Sequence, residues 1–230
     1  MRRPAPDSAV IALDRPLASG RRIGVRFSDR HDGDFAIRAA GVAQRRQAVC
    51  RHPWTVLEQV HGSEVVAVDR PGQHDGARAD GMVTTRAGSA LAVQTADCAP
   101  VVLIGHDAVG VVHAGWRGVL DGVLQEGLRR LLSLDDGPVV AVIGPCIRPG
   151  HYEFGREDLQ QLTARLGNAV RAETVDGQPA LDLAAAVRAA LGADVASVSD
   201  LGHDTSDEKY FSNRVRGDLG RQATMVWIEP

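Results

Sequence analysis

The sequence predicts an α/β fold, a mixed sheet with helices packed on it, formed by one domain over residues 1–230. Compact β-branched runs at Val101–Ile104, Val109–Val112 and Val139–Ile143 have the length and composition of buried strands. Leu120, Leu124, Leu128 and Leu131 recur at the spacing of one helix face, with Gln125, Glu126, Arg129 and Arg130 largely off it. Strand and helix patterns intersperse along the chain, as expected of sheet layers covered by helices.

Val10–Leu13 and Arg22–Phe27 read as two strands around a hairpin turn at Ala18-Ser19-Gly20. Phe35, Ala39, Val42 and Ala43 have helical spacing, so Phe35–Val49 is expected as one helix, closed off by Pro53. Thr55–Val60 and Glu64–Val68 follow as strands joined at His61-Gly62-Ser63, which sets His61 on a turn. The polar stretch Asp69–Asp80 predicts an exposed loop. Ala90–Gln94 predicts a strand that delivers Thr95–Pro100 as an irregular turn. Pro100 biases Ala99 away from helical angles and keeps Cys98 on a bend. The leucine stripe predicts a helix, and Gly144-Pro145 ends the Val139–Ile143 strand. Arg156–Leu166 and Leu181–Leu191 carry further helical patterns, the second with Asp182 in its first turn. Val195–Val198 and Ala223–Ile228 are the last expected strands, with the polar His203–Gly220 between them.

Composition narrows the function classes. A formal net charge of −3 with scattered arginines gives no footprint for nucleic acid. No apolar run approaches a membrane span, and Val10–Leu13 is too short for the apolar core of a signal peptide. Three widely spaced cysteines, Cys50, Cys98 and Cys146, argue against a disulfide framework and for a reducing compartment, so a cytoplasmic location is expected. The expected assembly is a monomer or small homo-oligomer.

The chemistry concentrates in Gln94–Gly118. Cys98 lies at the mouth of one strand and His113 at the exit of the next, so an antiparallel return at roughly 3.3 Å per residue brings them to one rim. A thiolate facing an imidazole suits either a metal site or a Cys/His nucleophile. With His61, two imidazoles and one thiolate leave a fourth tetrahedral position open, the pattern of catalytic rather than structural zinc. Against this stands a buried, inert Cys98 with two surface histidines. Arg117, in the first turn of the following helix, opposes the helix dipole, so it points to an anion pocket or to an ion pair with Asp121. Asp97 could orient a ligand, serve as an acid or base, or close an Asx turn. Arg214 and Arg216 could clamp a phosphate or stand in solvent.

The chain resembles the YfiH-type laccase-domain, polyphenol-oxidase-like family. The matching segments are QVHG (Gln59–Gly62), ADG around Asp80, TADCAPVVL (Thr95–Leu103), HAGWRG (His113–Gly118), IGPCI (Ile143–Ile147), YEF (Tyr152–Phe154), and FSNR with the later GR (Phe211–Arg214, Gly220-Arg221). The resemblance implies an α/β fold distantly like bacterial toxin deamidases, with zinc on His61, Cys98 and His113. It also implies phosphorolysis of adenosine, inosine, guanosine and methylthioadenosine, plus adenosine deamination, with nucleoside and phosphate as partners. Cys98, His113, Asp97 and Arg117 are then the expected catalytic residues, and Arg117, Arg214, Arg216 and Gln94 the substrate and phosphate ligands. The arginine pair usual after the serine is interrupted here by Val215, and the N-terminal family pattern is shortened to Gly24–Arg30.

Other functions remain to be weighed. Multicopper oxidation needs many paired histidines, and the eight present include no HxH pair. A mononuclear copper site would want an axial ligand, and neither Met82 nor Met225 is obviously placed as one. A metal-free cysteine hydrolase editing cell-wall precursors and a non-catalytic partner protein complete the set.

Overall fold

A computed structural model describes residues 11–230. Val10, the first residue of the first expected strand, lies outside them. Two mixed sheets and a set of helices build the α/β fold. The first sheet has the order β1 (Ile11–Pro16), β2 (Arg22–Phe27), β13 (Gln222–Ile228), β6 (Ala90–Thr95), β3 (Trp54–Val56). The second runs β12 (Ser197–Asp200), β9 (Val140–Ile143), β7 (Ala99–Ile104), β8 (Val109–Ala114), β5 (Gly81–Thr84), β4 (Val65–Ala67). A small ribbon of β10 (Arg171–Glu173) and β11 (Pro179–Leu181) stands apart.

The pleat of β7 explains how the layers stack, because successive side chains face opposite sides of a strand. Val101 and Leu103 join the apolar core under the helices, whereas Val102 and Ile104 join the core between the two sheets with Leu91, Val93 and Val226. The helical layer comprises α2 (Trp116–Asp121), α3 (Val123–Leu132), α4 (Arg156–Leu166) and α5 (Leu183–Leu191). A third apolar cluster covers the outer face of the first sheet, where Phe35 and Cys50 pack on Ala90, Ala92, Met225 and Trp227.

Most expected elements are present, with instructive differences. The leucine stripe is two helices, broken at Gly122, whose φ of 91° is the left-handed backbone that glycine adopts without cost. The expected helix over Phe35–Val49 shrinks to α1 (Val42–Val49). Phe35 instead sits in an irregular segment, fully buried and stacked against Trp54 at 6.0 Å, with its amide donating to the Arg221 carbonyl. The strands either side of His61 do not form a hairpin. β3 pairs in parallel with β6 in the first sheet, and β4 pairs in parallel with β5 in the second, so the His61 turn bridges the sheets. The Asp69–Asp80 loop is not exposed throughout, since Ala79 and Asp80 are fully buried at its end. β5, β10 and β11 lie outside the expected strands. All three cysteines are free, and among the described residues no helix is long and apolar enough to cross a membrane.

Candidate metal centre

Cys98 occupies the turn by which the chain leaves β6 in one sheet and enters β7 in the other. β7 and β8 pair with Pro100 opposite His113 and Ala99 opposite Ala114, so the register itself brings Cys98 beside the end of β8. Gly115 follows that end, and a Cβ there would lie 2.8 Å from His61 Cδ2 and 3.2 Å from the Cys98 sulfur. Only glycine lets the strand end approach both side chains this closely. The donor atoms of His61, Cys98 and His113 all lie within 4.8 Å of one another, so the fold brings together the three side chains that the sequence singled out. His61 Nε2 is 3.7 Å from the Cys98 sulfur, and the two imidazoles meet edge to face at 4.8 Å.

Asp80 organises this cluster. Its carboxylate accepts the His113 Nδ1 proton at 2.8 Å, the amide of His61 at 2.9 Å and that of Gly62 at 2.8 Å. The first bond fixes the ring so that His113 Nε2 is the free nitrogen, the usual arrangement of a carboxylate behind a metal-binding histidine. The other two hold the His61 turn, where His61 adopts a left-handed φ of 59° that non-glycine residues visit rarely. Burial raises the Asp80 carboxyl, but the His113 hydrogen bond and the Gly62 amide outweigh it and keep it ionised.

Electrostatics of the pair follow. Burial disfavours the Cys98 thiolate, yet the positive charge of His113 and hydrogen bonds from both histidines hold its pKa well below the ordinary thiol range. Burial likewise disfavours a charged His113, and the Cys98 thiolate and Asp80 push it up. Both shifts favour a thiolate facing an imidazolium in the metal-free pair. The donor set of two imidazole nitrogens and one soft sulfur, oriented and partly dried, fits a transition-metal ion with an open position.

The cluster opens into a cavity of about 550 Å³. Arg117, Arg214 and Arg221 line it, and none of their guanidiniums pairs with a carboxylate among the described residues. Arg117 does not pair with Asp121; its guanidinium lies over the Trp116 ring at 4.3 Å. Arg214 lies over the Tyr152 ring at 4.9 Å and donates to the Glu153 carbonyl. Two guanidiniums are thus each backed by an aromatic face at the rim. Gln94 also lines the cavity, with its Nε2 donating to the Phe35 carbonyl at 2.6 Å.

Arg216 is a correction. Its guanidinium donates to the carbonyls of Thr205, Ser206 and Tyr210 and pairs with Asp218, so it braces a loop and does not line the cavity. Asp97 lines the cavity, but its carboxylate accepts from Thr205, Ser212 and the Arg214 amide.

The sequence matches the family described as multi-copper polyphenol oxidoreductase laccase over residues 29–229, a span that contains the whole cluster and cavity. The chain belongs to this family. Among its relatives is a protein of Xylella fastidiosa named purine nucleoside phosphorylase, 38% identical over 187 residues, covering 75% of this chain and 71% of the relative. A Deinococcus radiodurans protein of the same name is 35% identical over 221 residues, covering 92% and 85%. The crystal structure of a Neisseria meningitidis protein superposes with a TM-score of 0.82 at 26% identity, covering 95% of this chain and 99% of that one. Bacillus licheniformis YfiH shares the fold, with a TM-score of 0.80 at 21% identity over 90% and 93% of the chains.

Within this laccase family chain, sequence reasoning passed over residues that the fold brings to the site. Asp80 was visible only as part of the ADG segment, and Tyr152 and Arg221 only within YEF and GR. Gln59 carried no signal of its role. Its side-chain amide takes both the amide and the carbonyl of Gln94, at 2.7 Å each, standing in for a neighbouring strand.

Proposed function

We propose that the chain is a zinc-dependent purine nucleoside phosphorylase, acting on adenosine, inosine, guanosine and methylthioadenosine, with adenosine deaminase activity. The observation that carries the reading is one cavity holding a metal-capable His61–Cys98–His113 cluster on one wall and unpaired arginines on another. The names of the relatives support it.

His61, Cys98 and His113 would hold the zinc, which when bound supplies Lewis-acid polarisation at the open position. Arg117 and Arg214 bind the phosphate, with Arg221 beside them in place of the expected Arg216. Their charge concentrates the anion and orients one oxygen toward the ribose. In phosphorolysis that oxygen forms a bond to the anomeric carbon as the bond to the purine nitrogen breaks, and the base leaves with the electron pair. Tyr152 and Trp116, carrying the guanidiniums on their faces, offer apolar wall to a purine ring. Asp80 keeps His113 in one tautomer throughout. A cytoplasmic location accords with the three free cysteines.

The test is product analysis of purified protein with adenosine, with and without phosphate. Adenine and ribose 1-phosphate appearing only with phosphate would establish phosphorolysis, and inosine would establish deamination. Zinc-loaded protein yielding neither would end the nucleoside reading.

A second reading, a cysteine hydrolase using Cys98 and His113, is favoured by the thiolate–imidazolium electrostatics. Activity that survives a chelator would establish it. Copper chemistry has less support: Met82 and Met225 are buried in separate apolar clusters and neither lines the cavity.

A further inference from the structure

The loop that presents Cys98 carries a buried acid that the metal cluster does not use. Asp97 is 7% exposed and forms no ion pair with the described residues. A buried carboxylate without a cation is costly unless hydrogen bonds satisfy it. Here three do: Ser212 Oγ at 2.6 Å, Thr205 Oγ1 at 2.8 Å and the Arg214 amide at 2.7 Å. Bonds to an ionised acceptor are the stronger kind. Asp97 also holds a φ of 92°, a left-handed backbone that costs energy for a residue with a Cβ.

What these bonds secure is the far side of the cavity. Ser212 is fully buried and caps a short helical turn, α6 (Asn213–Arg216), by accepting the Val215 amide. Asn213 and Arg214 both line the cavity. Arg214 is consequently fixed at two points, its amide by Asp97 and its guanidinium by the Glu153 carbonyl and the Tyr152 ring.

We propose that Asp97 is a positioning residue that ties the anion-binding arm, Ser212–Arg214, to the thiol loop and thereby sets the distance between a bound phosphate and the metal-capable cluster. This rests on the phosphorylase reading for the identity of the anion. Asp97 acts through Arg214 and exchanges no proton with substrate.

Two variants separate side chain from backbone. Asp97→Gly removes the carboxylate while relieving the left-handed backbone. Asp97→Asn keeps the shape and one acceptor oxygen but loses the charge. In hydrogen exchange of the zinc-loaded protein, peptides covering 205–216 should exchange faster in Asp97→Gly by about tenfold or more, the scale of one lost charge-assisted bond. Peptides covering β7 and β8 should be unchanged, and Asp97→Asn should fall between. The phosphate KM should rise by a similar factor with kcat far less affected. Unchanged exchange over 205–216, or an equal rise throughout the chain, would overturn the tie. Local loosening with an unaltered phosphate KM would overturn its role in anion placement. Should the wild-type protein show no phosphate dependence, the phosphorylase reading fails, while the exchange result still decides whether Asp97 holds the arm.

Discussion

One oxygen of Asp80 receives both the ring proton of His113 at 2.8 Å and the backbone amide of His61 at 2.9 Å. A single buried carboxylate therefore orients two of the three metal-capable side chains, one through its ring and the other through its turn. Asp80→Ala should lower zinc affinity by about 10- to 100-fold, the usual cost of losing such a partner. Zinc content after dialysis against a graded chelator reads this directly. Cys98→Ala, which deletes a ligand, should retain no zinc at all, and an Asp80→Ala protein that holds zinc like the wild type would remove Asp80 from this role.

The thiol makes a pH prediction. Because its pKa is lowered, Cys98 in chelator-treated protein should be a thiolate at neutral pH and lose reactivity only as pH falls through that lowered value. Burial pushes Cys50 and Cys146 the other way, Cys146 to about 12, so both should stay silent. Iodoacetamide labelling read by peptide mass spectrometry checks it. A Cys98 rate still climbing steeply near the ordinary thiol pKa of about 8.5 would contradict the assignment.

Close approach at Gly115 sets up a third test. In Gly115→Ala the new methyl would press on His61 Cδ2 and the Cys98 sulfur. Zinc affinity and turnover should fall at least tenfold, while the thermal midpoint moves little because the strain falls on two side chains at the cavity wall. A fully active Gly115→Ala enzyme would show that His61 is not confined there.

Arg117 and Arg216 should separate function from stability. Arg117→Ala should weaken phosphate use by about tenfold or more with unchanged stability, since its guanidinium meets only the Trp116 ring among the described residues. Arg216→Ala should leave phosphate KM nearly unchanged but cost about 1–3 kcal/mol of stability, because it strands the carbonyls of Thr205, Ser206 and Tyr210. Phosphate titrations and denaturant melts of the two variants decide the matter, and a reversed pattern would exchange their roles.

How far the sequence foretold these roles depended on the range of each interaction. His61, Cys98 and His113 stood out because glycine and proline beside them mark strand ends, a local signal, and the fold brings their donor atoms together. Asp80 showed only within the ADG segment, and Asp97 was singled out beside the thiol without its partners, since those partners lie 33 and 117 residues away and no periodicity links them. Arg216 misled because the direction of a loop arginine is set by which carbonyls surround it. The break in the leucine stripe had one local cue, Gly122, which an uninterrupted apolar face concealed. Nothing local showed that the strands joined at His61 enter different sheets, because parallel partners such as β6 come from distant sequence.

The passage of the chain from β6 to β7 through Cys98 has a bearing on how the protein matures. The three metal-capable side chains come from two separated turns and the end of β8, and they are brought together only when both sheets have docked and Asp80 has been enclosed. An unfolded chain offers no local chelate to nucleate around, unlike a zinc finger. On the zinc reading, metal capture is accordingly expected to be a late event, and in refolding it should lag the recovery of helix and strand signals. A bound ion would then be cargo for a completed socket.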